Sequence, residues 1–472
     1  MHASRFRSFQ TRLRTMFEPE NVAVVGATNN PEKLGSHVMK SLLAGGFAGG
    51  IVPVNPKAAA VMGLPAAGSL EACEQGIDLL IVVIPSAGVL EILRTAIRLN
   101  VGGVVLITAG FSEIEDPSGR ALQARIKDLA LSADLPVIGP NTFGMVNPEF
   151  RLNSSFTPEF ARLKPGRTAL LSQSGGIAHL MAFLAERQAV GLGKIVGLGN
   201  RLTVDFDTML HYLSEDVRTR VIAMYIEGLD RPGLLLDAAR AVRGRKPVLA
   251  YKAGDSGQGD LVSRSHTGSM AGNKAVYHGA FRQAGIFPVH SAQDLLDLSR
   301  VLNCCPLPRG PRVAVLSGQA GPNMAACDIL ISEGLELVRF SRKTQERIHE
   351  LLPPLALREN PVDMGPAWYS VHAVQGIVQA VLDDEQVDMV LVLSMYASAN
   401  REVIPGLSDF FLDWNQKKPL LTCFSAPQGI WDDVLEYLED QGAICNLPTP
   451  EQTARMAVLL QQYAAFAGKY GG

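Results

Sequence analysis

Three times along the chain an uninterrupted apolar, β-branched run stops at a Gly/Ser turn and leads into a helix-like stretch. The three openings are VAVVGATNNPEKLGSHVMKSLL from Val22, TALLSQSGGIAHLMAFLAE from Thr168 and VAVLSGQAGPNMAACDILISEG from Val313. A strand that is apolar throughout, rather than alternating, is buried on both faces, and sheets covered on both faces by helices are parallel. The repeated opening therefore predicts an α/β chain of three consecutive parallel-sheet domains, which suits 472 residues at roughly 150 per domain. Further strand candidates fill each unit, among them LLIVVIP and GVVLITAG in the first, VIAMYIEG and PVLAYKAG in the second, DMVLVLSMY and PLLTCFSA in the third. Boundaries are expected where polar or Pro/Gly-rich stretches intervene, before ARLKPGR near residue 162 and at NCCPLPRGPR near residue 307, giving domains 1–161, 162–306 and 307–472.

A net charge of -3 provides no basic surplus for nucleic acid or an anionic membrane surface. The six cysteines, at 73, 304, 305, 327, 423 and 445, form neither a CxxC pair nor a metal-ligand spacing, as expected of a reduced, cytoplasmic protein. No apolar run approaches the roughly 20 residues of a bilayer span, and no signal-peptide core follows the first methionine. The basic start, MHASRFRSFQTRLRTMF, resembles an organelle presequence, but reads better as a short amphipathic helix lying on the first domain.

Where a strand meets a helix through Gly or Ser, the first helical N–H groups are open and favour an anion. The first turn, at Gly26 and Thr28, lacks the full GxGxxG spacing, and no acidic ribose ligand is evident, so an NAD-dependent dehydrogenase is disfavoured. Asn55-Pro56-Lys57, Ile84-Pro85-Ser86 and Thr108-Ala109-Gly110-Phe111 fall at carboxyl ends of strands, the ligand edge of an open parallel sheet, with Lys57 placed to neutralise a phosphate. Ser172-Gln173-Ser174-Gly175-Gly176 offers N–H groups and hydroxyls at the second opening. Gly321, Pro322 and Asn323 make a similar cup at the third, with Pro322 expected at the first helical position. Glu227 closes the strand VIAMYIEGLD, where a carboxylate can fix the tautomer of an imidazole, and Asp230, Asp205 and Asp207 are expected to cap helices. His179, His211, His278 and His372 sit in helical patterns and are expected to be structural. His266 differs. It lies in SRSHTGSMAG, among small and hydroxylated residues with no further metal ligands at usable spacing, as a phosphoryl-carrying imidazole that must swing between sites would require.

Taken together, MFEPENVAVVGAT, GPNTFG, SQSGG, VGLGNRLTVDFDTMLHYL, YIEGLD, SRSHTGSMAG and RENPVDMG resemble the ADP-forming acyl-CoA synthetases, relatives of succinyl-CoA synthetase, in their α-subunit form. The resemblance implies a Rossmann-like CoA-binding domain followed by two flavodoxin-like domains. It implies that His266 is the phosphate carrier, that Glu227 orients it, and that Ser174, Gly175 and Gly176 bind its phosphate. By the same resemblance Gly321, Pro322 and Asn323 form an opposing cup, and Gly26, Thr28, Lys57, Pro85 and Thr108 contact CoA. The reaction implied is acyl-CoA + ADP + phosphate giving carboxylic acid + CoA + ATP. Thr142 stands where family members commonly have cysteine. No ATP-grasp domain is evident, so an ATP-grasp β subunit carrying ADP or ATP with Mg2+ is the expected partner. The acyl chain is expected near Asn360–Gly365 and Trp368. The rival reading is a non-catalytic regulatory protein that senses CoA or acyl-CoA.

Overall fold

The structure is a computed structural model, and it describes residues 3–254, 274–354, 357–414 and 417–470. It divides into two compact units, Met1–Leu296 and Asp297–Gly472.

The first unit holds two large sheets and a two-stranded ribbon in which residues 60–61 pair with 64–65. In the first sheet β1 (Asn21–Val25) lies between β2 (Gly50–Val54) and β3 (Leu79–Val82), followed by β4 (Gly103–Leu106) and β5 (Val137–Ile138), all parallel. The second sheet begins with two short antiparallel strands, β6 (Met145–Asn147) and β7 (Leu152–Asn153), which cover the edge of β9 (Ile195–Gly197). Its parallel part runs β9, β8 (Thr168–Ser172), β10 (Val221–Ile226), β11 (Val248–Lys252) and β12 (Phe287–Val289). The second unit repeats the plan with β13 (Arg312–Ser317), β14 (Glu336–Leu337), β15 (Val362–Asp363), β16 (Met389–Met395), β17 (Leu420–Ser425) and β18 (Cys445–Asn446). There β14 pairs with the start of β13 and β15 with its end. Counting strands within each parallel sheet, and leaving β15 aside, all three have the order 2-1-3-4-5. This doubly wound order opens a crevice at the carboxyl ends of strands one and three, where the chain reverses direction of winding. The three openings read from sequence supply β1, β8 and β13, the first strand in every case.

The apolar runs are buried as their composition requires: Leu79, Leu80, Ile81 and Val82 are all 0 % exposed, as are Leu391, Val392 and Leu393. The basic N-terminal stretch forms α1 (Ala3–Phe17), which inserts Phe9, Leu13, Met16 and Phe17 against the first sheet, about 2 kcal/mol of apolar burial for each large side chain. Its Arg12 guanidinium donates to the carbonyls of Val101 and Ala133, so the positive charges on this helix serve chain ends of the first sheet. One continuous core then joins both sheets of this unit, running from Leu13 and Val24 through Met145 to Leu171, Val196 and Met224. The second unit has a core of its own around Leu316, Trp368, Val392 and Trp431. No helix among the described residues is long and apolar enough to cross a membrane.

Candidate functional site

At the crevice of the second sheet, Ser172 ends β8 and the chain turns into α3 (Gly175–Arg187). Ser174 takes the N-cap position in extended backbone, and its Oγ accepts from the Ile177 N–H at 3.3 Å. The Ser172 Oγ in turn accepts from the Ser174 N–H at 3.2 Å and donates to the Ser174 carbonyl at 2.7 Å. These bonds use the turn's other donors, and among the described residues nothing accepts from the N–H groups of Gly175 and Gly176. The two glycines are open in space as well. A Cβ at Gly175 would meet only Phe143, at 3.8 Å, and one at Gly176 only the Ser174 hydroxyl, at 3.9 Å. Nothing among the described residues forbids side chains there; the bare backbone leaves room for a ligand's oxygens.

Glu227 follows β10 directly across the crevice. Its position is set by Gln173, whose Oε1 accepts from the Glu227 N–H at 2.8 Å and the Gly228 N–H at 3.2 Å. Gln173 is 9 % exposed, so this clamp holds the carboxylate-bearing turn against the phosphate-type turn through a buried amide. Burial first, and then the nearby Glu227 charge, raise the Tyr225 phenol above its ordinary value. Sequence reasoning missed Gln173, for a glutamine inside a Ser-rich turn carries no periodic signal.

Thr108 joins this site from the first sheet. It is 8 % exposed and its hydroxyl donates to the Ile84 carbonyl at 2.8 Å, tying the carboxyl end of β4 to that of β3. The adjoining loop is fixed by Glu113, which accepts from the N–H groups of Gly110 (2.5 Å) and Phe111 (3.1 Å) and from Asn200 Nδ2 (2.6 Å). Burial disfavours the Glu113 carboxylate, but the Asn200 bond and the two backbone bonds outweigh it and hold this carboxyl below its ordinary pKa. Asn200 follows β9, so this bond links the two sheets at their ligand edges. Thr108, Asn141, Thr142, Phe143, Ser174–Gly176, His179, Asn200 and Glu227 line one cavity of about 670 Å³.

The other expected CoA contacts stand along the carboxyl edge of the first sheet, outside that cavity's lining. Gly26 has φ +95°, and a Cβ there would lie 2.2 Å from the Val83 carbonyl oxygen, so only glycine fits. Its carbonyl approaches Gly35 at the start of α2 (Leu34–Gly45), where a Cβ would sit 2.0 Å from that oxygen. The Thr28 hydroxyl accepts from the Asn30 N–H, and Asn55 donates to the Ala27 carbonyl while accepting from the Lys57 N–H. Lys57 and Pro85 are exposed.

Several expectations are corrected by the geometry. Pro322 is the third residue of α5 (Ala320–Ser332), not the first; the initial three positions all lack an intrahelical N–H partner, so proline is tolerated there equally. The open donors of that turn are consequently Ala320 and Gly321. Asn323 is 3 % exposed; its Nδ2 donates to the Val362 carbonyl at 3.0 Å, and its Oδ1 has no hydrogen-bond partner among the described residues. Asp205 does cap α4 (Phe206–Glu215), in a reciprocal box with Thr208. Arg231, not Asp230, occupies the N-cap position of the helix Pro232–Val242, and Asp230 pairs with Arg201 at 3.0 Å. Trp368, expected near the acyl chain, is 1 % exposed and packs beneath Gly318, where a Cβ would lie 2.4 Å from its ring. Thr142 donates to the Gly197 carbonyl at 2.5 Å and accepts from the Gly144 N–H at 3.0 Å. His179, read as structural, lines the cavity. His266 lies outside the described residues.

Comparison with known proteins accords with this arrangement. Residues 20–148 match the family model of a CoA binding domain and residues 165–302 that of the succinyl-CoA ligase like flavodoxin domain. The chain is 32% identical to the α subunit of ADP-forming acetate–CoA ligase II of Pyrococcus furiosus, over 96% of this chain and 98% of that one. It is also 32% identical to ADP-forming acetate–CoA ligase I of Archaeoglobus fulgidus, covering 97% of this chain but 64% of the relative's length. Among solved structures, the dinucleotide-forming acetyl-coenzyme A synthetase 1 of Ca. Korarchaeum cryptofilum, in complex with phosphate and ADP, superposes with a TM-score of 0.86 at 29% identity, over 97% of this chain and 98% of that one. The chain therefore belongs to the ADP-forming acyl-CoA synthetase family, in its α-subunit form.

Proposed function

We propose that this chain is the acyl-handling subunit of an ADP-forming acyl-CoA synthetase that works with an ATP-grasp β subunit. In the sequence we infer, inorganic phosphate attacks the thioester carbon, the C–S bond breaks, and acyl phosphate and CoA thiol result. The His266 imidazole then takes the phosphoryl group and the carboxylic acid leaves. Phosphohistidine passes the group to ADP on the partner, where Mg2+ accompanies the nucleotide, and every step is reversible.

Each role falls to a group of suitable chemistry. The N–H groups of Gly175 and Gly176, at the positive end of α3, offset phosphate oxygens, with the Ser174 hydroxyl holding the turn. Glu227 accepts from one imidazole nitrogen of His266, leaving the other nucleophilic. Ala320 and Gly321 offer a second pair of donors built the same way, with Pro322 and Asn323 shaping that turn. Gly26, Thr28, Lys57 and Pro85 are assigned to the nucleotide portion of CoA, and Thr108 to its thiol end, next to the phosphate turn. The observation that carries this reading is the Gln173 clamp, which keeps a carboxylate and an open pair of N–H groups on one cavity wall. A protein that merely sensed CoA would have no use for that pairing.

The test incubates the full chain, with and without its nucleotide-binding partner, with radiolabelled phosphate and a panel of acyl-CoA thioesters. Acid-labile label on the protein, abolished in His266→Asn, is the expected result. Label that persists in that variant, or CoA binding with neither label nor turnover in the presence of the partner, refutes the assignment.

A further inference from the structure

Cys304, Cys305 and Cys445 gather at the starts of β17 and β18, the opposite edge of the third sheet from its crevice, and the proposed reaction uses none of them. The helix Ala292–Cys304 brings the first of them there. Arg300, one turn before Cys304 and on the same helix face, pairs with the Glu439 carboxylate, and the same Glu439 oxygen accepts from the Asn446 N–H at 2.7 Å. The guanidinium therefore lies beside β18, whose other residue is Cys445. Cys304, the last residue of the helix, follows Arg300 along that face and reaches Cys445. Their thiols share a hydrogen bond, and the Arg300 charge acts on both sulfurs. Cys305 is engaged by the backbone instead, its Sγ 3.7 Å from the Leu420 carbonyl oxygen at the start of β17.

The two hydrogen-bonded sulfurs differ in access. Cys445 is 0 % exposed, whereas Cys304 is half-buried. The hydrogen bond with Cys304 first, and burial second, raise the Cys445 thiol, so Cys445 keeps its hydrogen and Cys304 accepts it. The guanidinium nearby favours negative charge on the accepting sulfur. An accessible thiolate with a second thiol behind it oxidises in two steps. The Cys304 thiolate attacks one oxygen of hydrogen peroxide. An S–O bond forms, the O–O bond breaks, and the hydroxide released takes up the proton that Cys304 gave up and leaves as water. The Cys445 sulfur then displaces hydroxide from the sulfenic acid. The S–S bond forms as the S–O bond breaks, and the Cys445 proton departs with the hydroxide as a second water. Both thiols are oxidised and one peroxide is reduced, while the sulfurs close from hydrogen-bond contact to about 2 Å.

We propose that Cys304 and Cys445 are a peroxide-sensitive thiol pair whose disulfide ties the end of the helix Ala292–Cys304 to β18, the edge strand of the third sheet. The helix contains Leu296 and Asp297, where one compact unit gives way to the next along the chain, so the bond anchors the exit of that helix to the second unit. In the test the full-length chain is reduced, freed of reductant and treated with a small excess of hydrogen peroxide. It is then digested without reduction, and fragment-ion mass spectrometry locates the linked sulfurs. A Cys304–Cys445 link should appear in the native chain and in Cys305→Ala, revert with dithiothreitol, and be absent from Cys304→Ser and Cys445→Ala. Cys304→Ser alone carries this control if circular dichroism finds Cys445→Ala unfolded. Because the bond closes a loop over most of the second unit, oxidation should raise the Tm of that unit by roughly 10 °C in the native chain and leave Cys304→Ser unchanged. No link, a link through Cys305 in the native chain, or a Cys304–Cys445 link that leaves the Tm unchanged or lower overturns the proposal.

Discussion

Replacing Gln173 with leucine isolates what the clamp contributes. The side chain keeps its approximate volume but loses the oxygen that accepts from the Glu227 and Gly228 N–H groups at 2.8 and 3.2 Å. An unsatisfied buried donor costs about 1–3 kcal/mol, and the Glu227 N–H is only partly buried, so the pair together should cost roughly 2–4 kcal/mol. Unfolding entropy of about 2.1 cal/mol/K per residue converts this to a Tm loss of roughly 3–6 °C for the 1–296 unit. The catalytic loss should be larger, because a carboxylate displaced by about 1 Å costs on the order of a hundredfold in rate. Differential scanning fluorimetry gives the first quantity; rapid-quench measurement of protein-bound phosphate from acyl-CoA and labelled phosphate gives the second. Gln173→Glu retains an acceptor and should recover part of the Tm, while its charge beside Glu227 moves the pH profile of phosphorylation upward. If Gln173→Leu melts within about 1 °C of the native chain and phosphorylates within about twofold of it, the clamp holds nothing that matters.

Lys194 and Asp216 form a pair at 2.7 Å with side chains 3 % and 7 % exposed, so Lys194→Met strands a buried carboxylate and should cost about 3–5 kcal/mol in urea denaturation, most of it regained in Lys194→Met/Asp216→Leu. Burial pushes the Asp216 carboxyl up, but hydrogen bonds from Lys194 and Thr219 prevail and hold its pKa below the ordinary value. A depressed folded pKa gives stability that is complete above the unfolded value near 3.8 and lost as pH falls through the folded one. The urea midpoint of the native chain should therefore drop more steeply below that pH than the midpoint of the double variant. Gly26→Ala forces a Cβ onto the Val83 carbonyl at φ +95°, and about 2–4 kcal/mol of strain and overpacking should accompany weakened CoA binding by calorimetry. An alanine variant that binds CoA normally would remove that turn from the CoA site.

The openings at Val22, Thr168 and Val313 were legible because a continuous apolar run and a Gly/Ser turn are local signals, and each became the first strand of a sheet. Their carboxyl-edge position located Glu227 and the Ser174–Gly176 turn before any coordinates. The short strands Met145–Asn147 and Leu152–Asn153 were not legible. They fall ahead of the boundary expected near residue 162, yet the first pairs with β9 and the second with the first, a choice made by a partner some 50 residues away rather than by their own pattern. His179 keeps the structural role its helical spacing suggests, its ring nitrogens 2.7 Å from the Gly175 carbonyl and the Thr157 hydroxyl, but only the packed phenyl rings decide that its face borders a cavity. Asp230 lost its expected cap because Arg201, distant in sequence, competes for its carboxylate.

The unbroken apolar interior shared by the first two sheets has a bearing on how such chains can be rearranged. A break introduced between the two matched modules, anywhere from residue 148 to 165, would bare Met145, Leu152, Leu171 and Val196 to water, so neither fragment is an exchangeable part. Residues 297–472 carry a separate interior, although the seam falls within the helix Ala292–Cys304, so any joint there has to keep that helix whole. Gene fusion, fission and domain shuffling in this family should respect the second seam and avoid the first, and limited proteolysis that cut cleanly within 148–165 to yield two folded halves would contradict this.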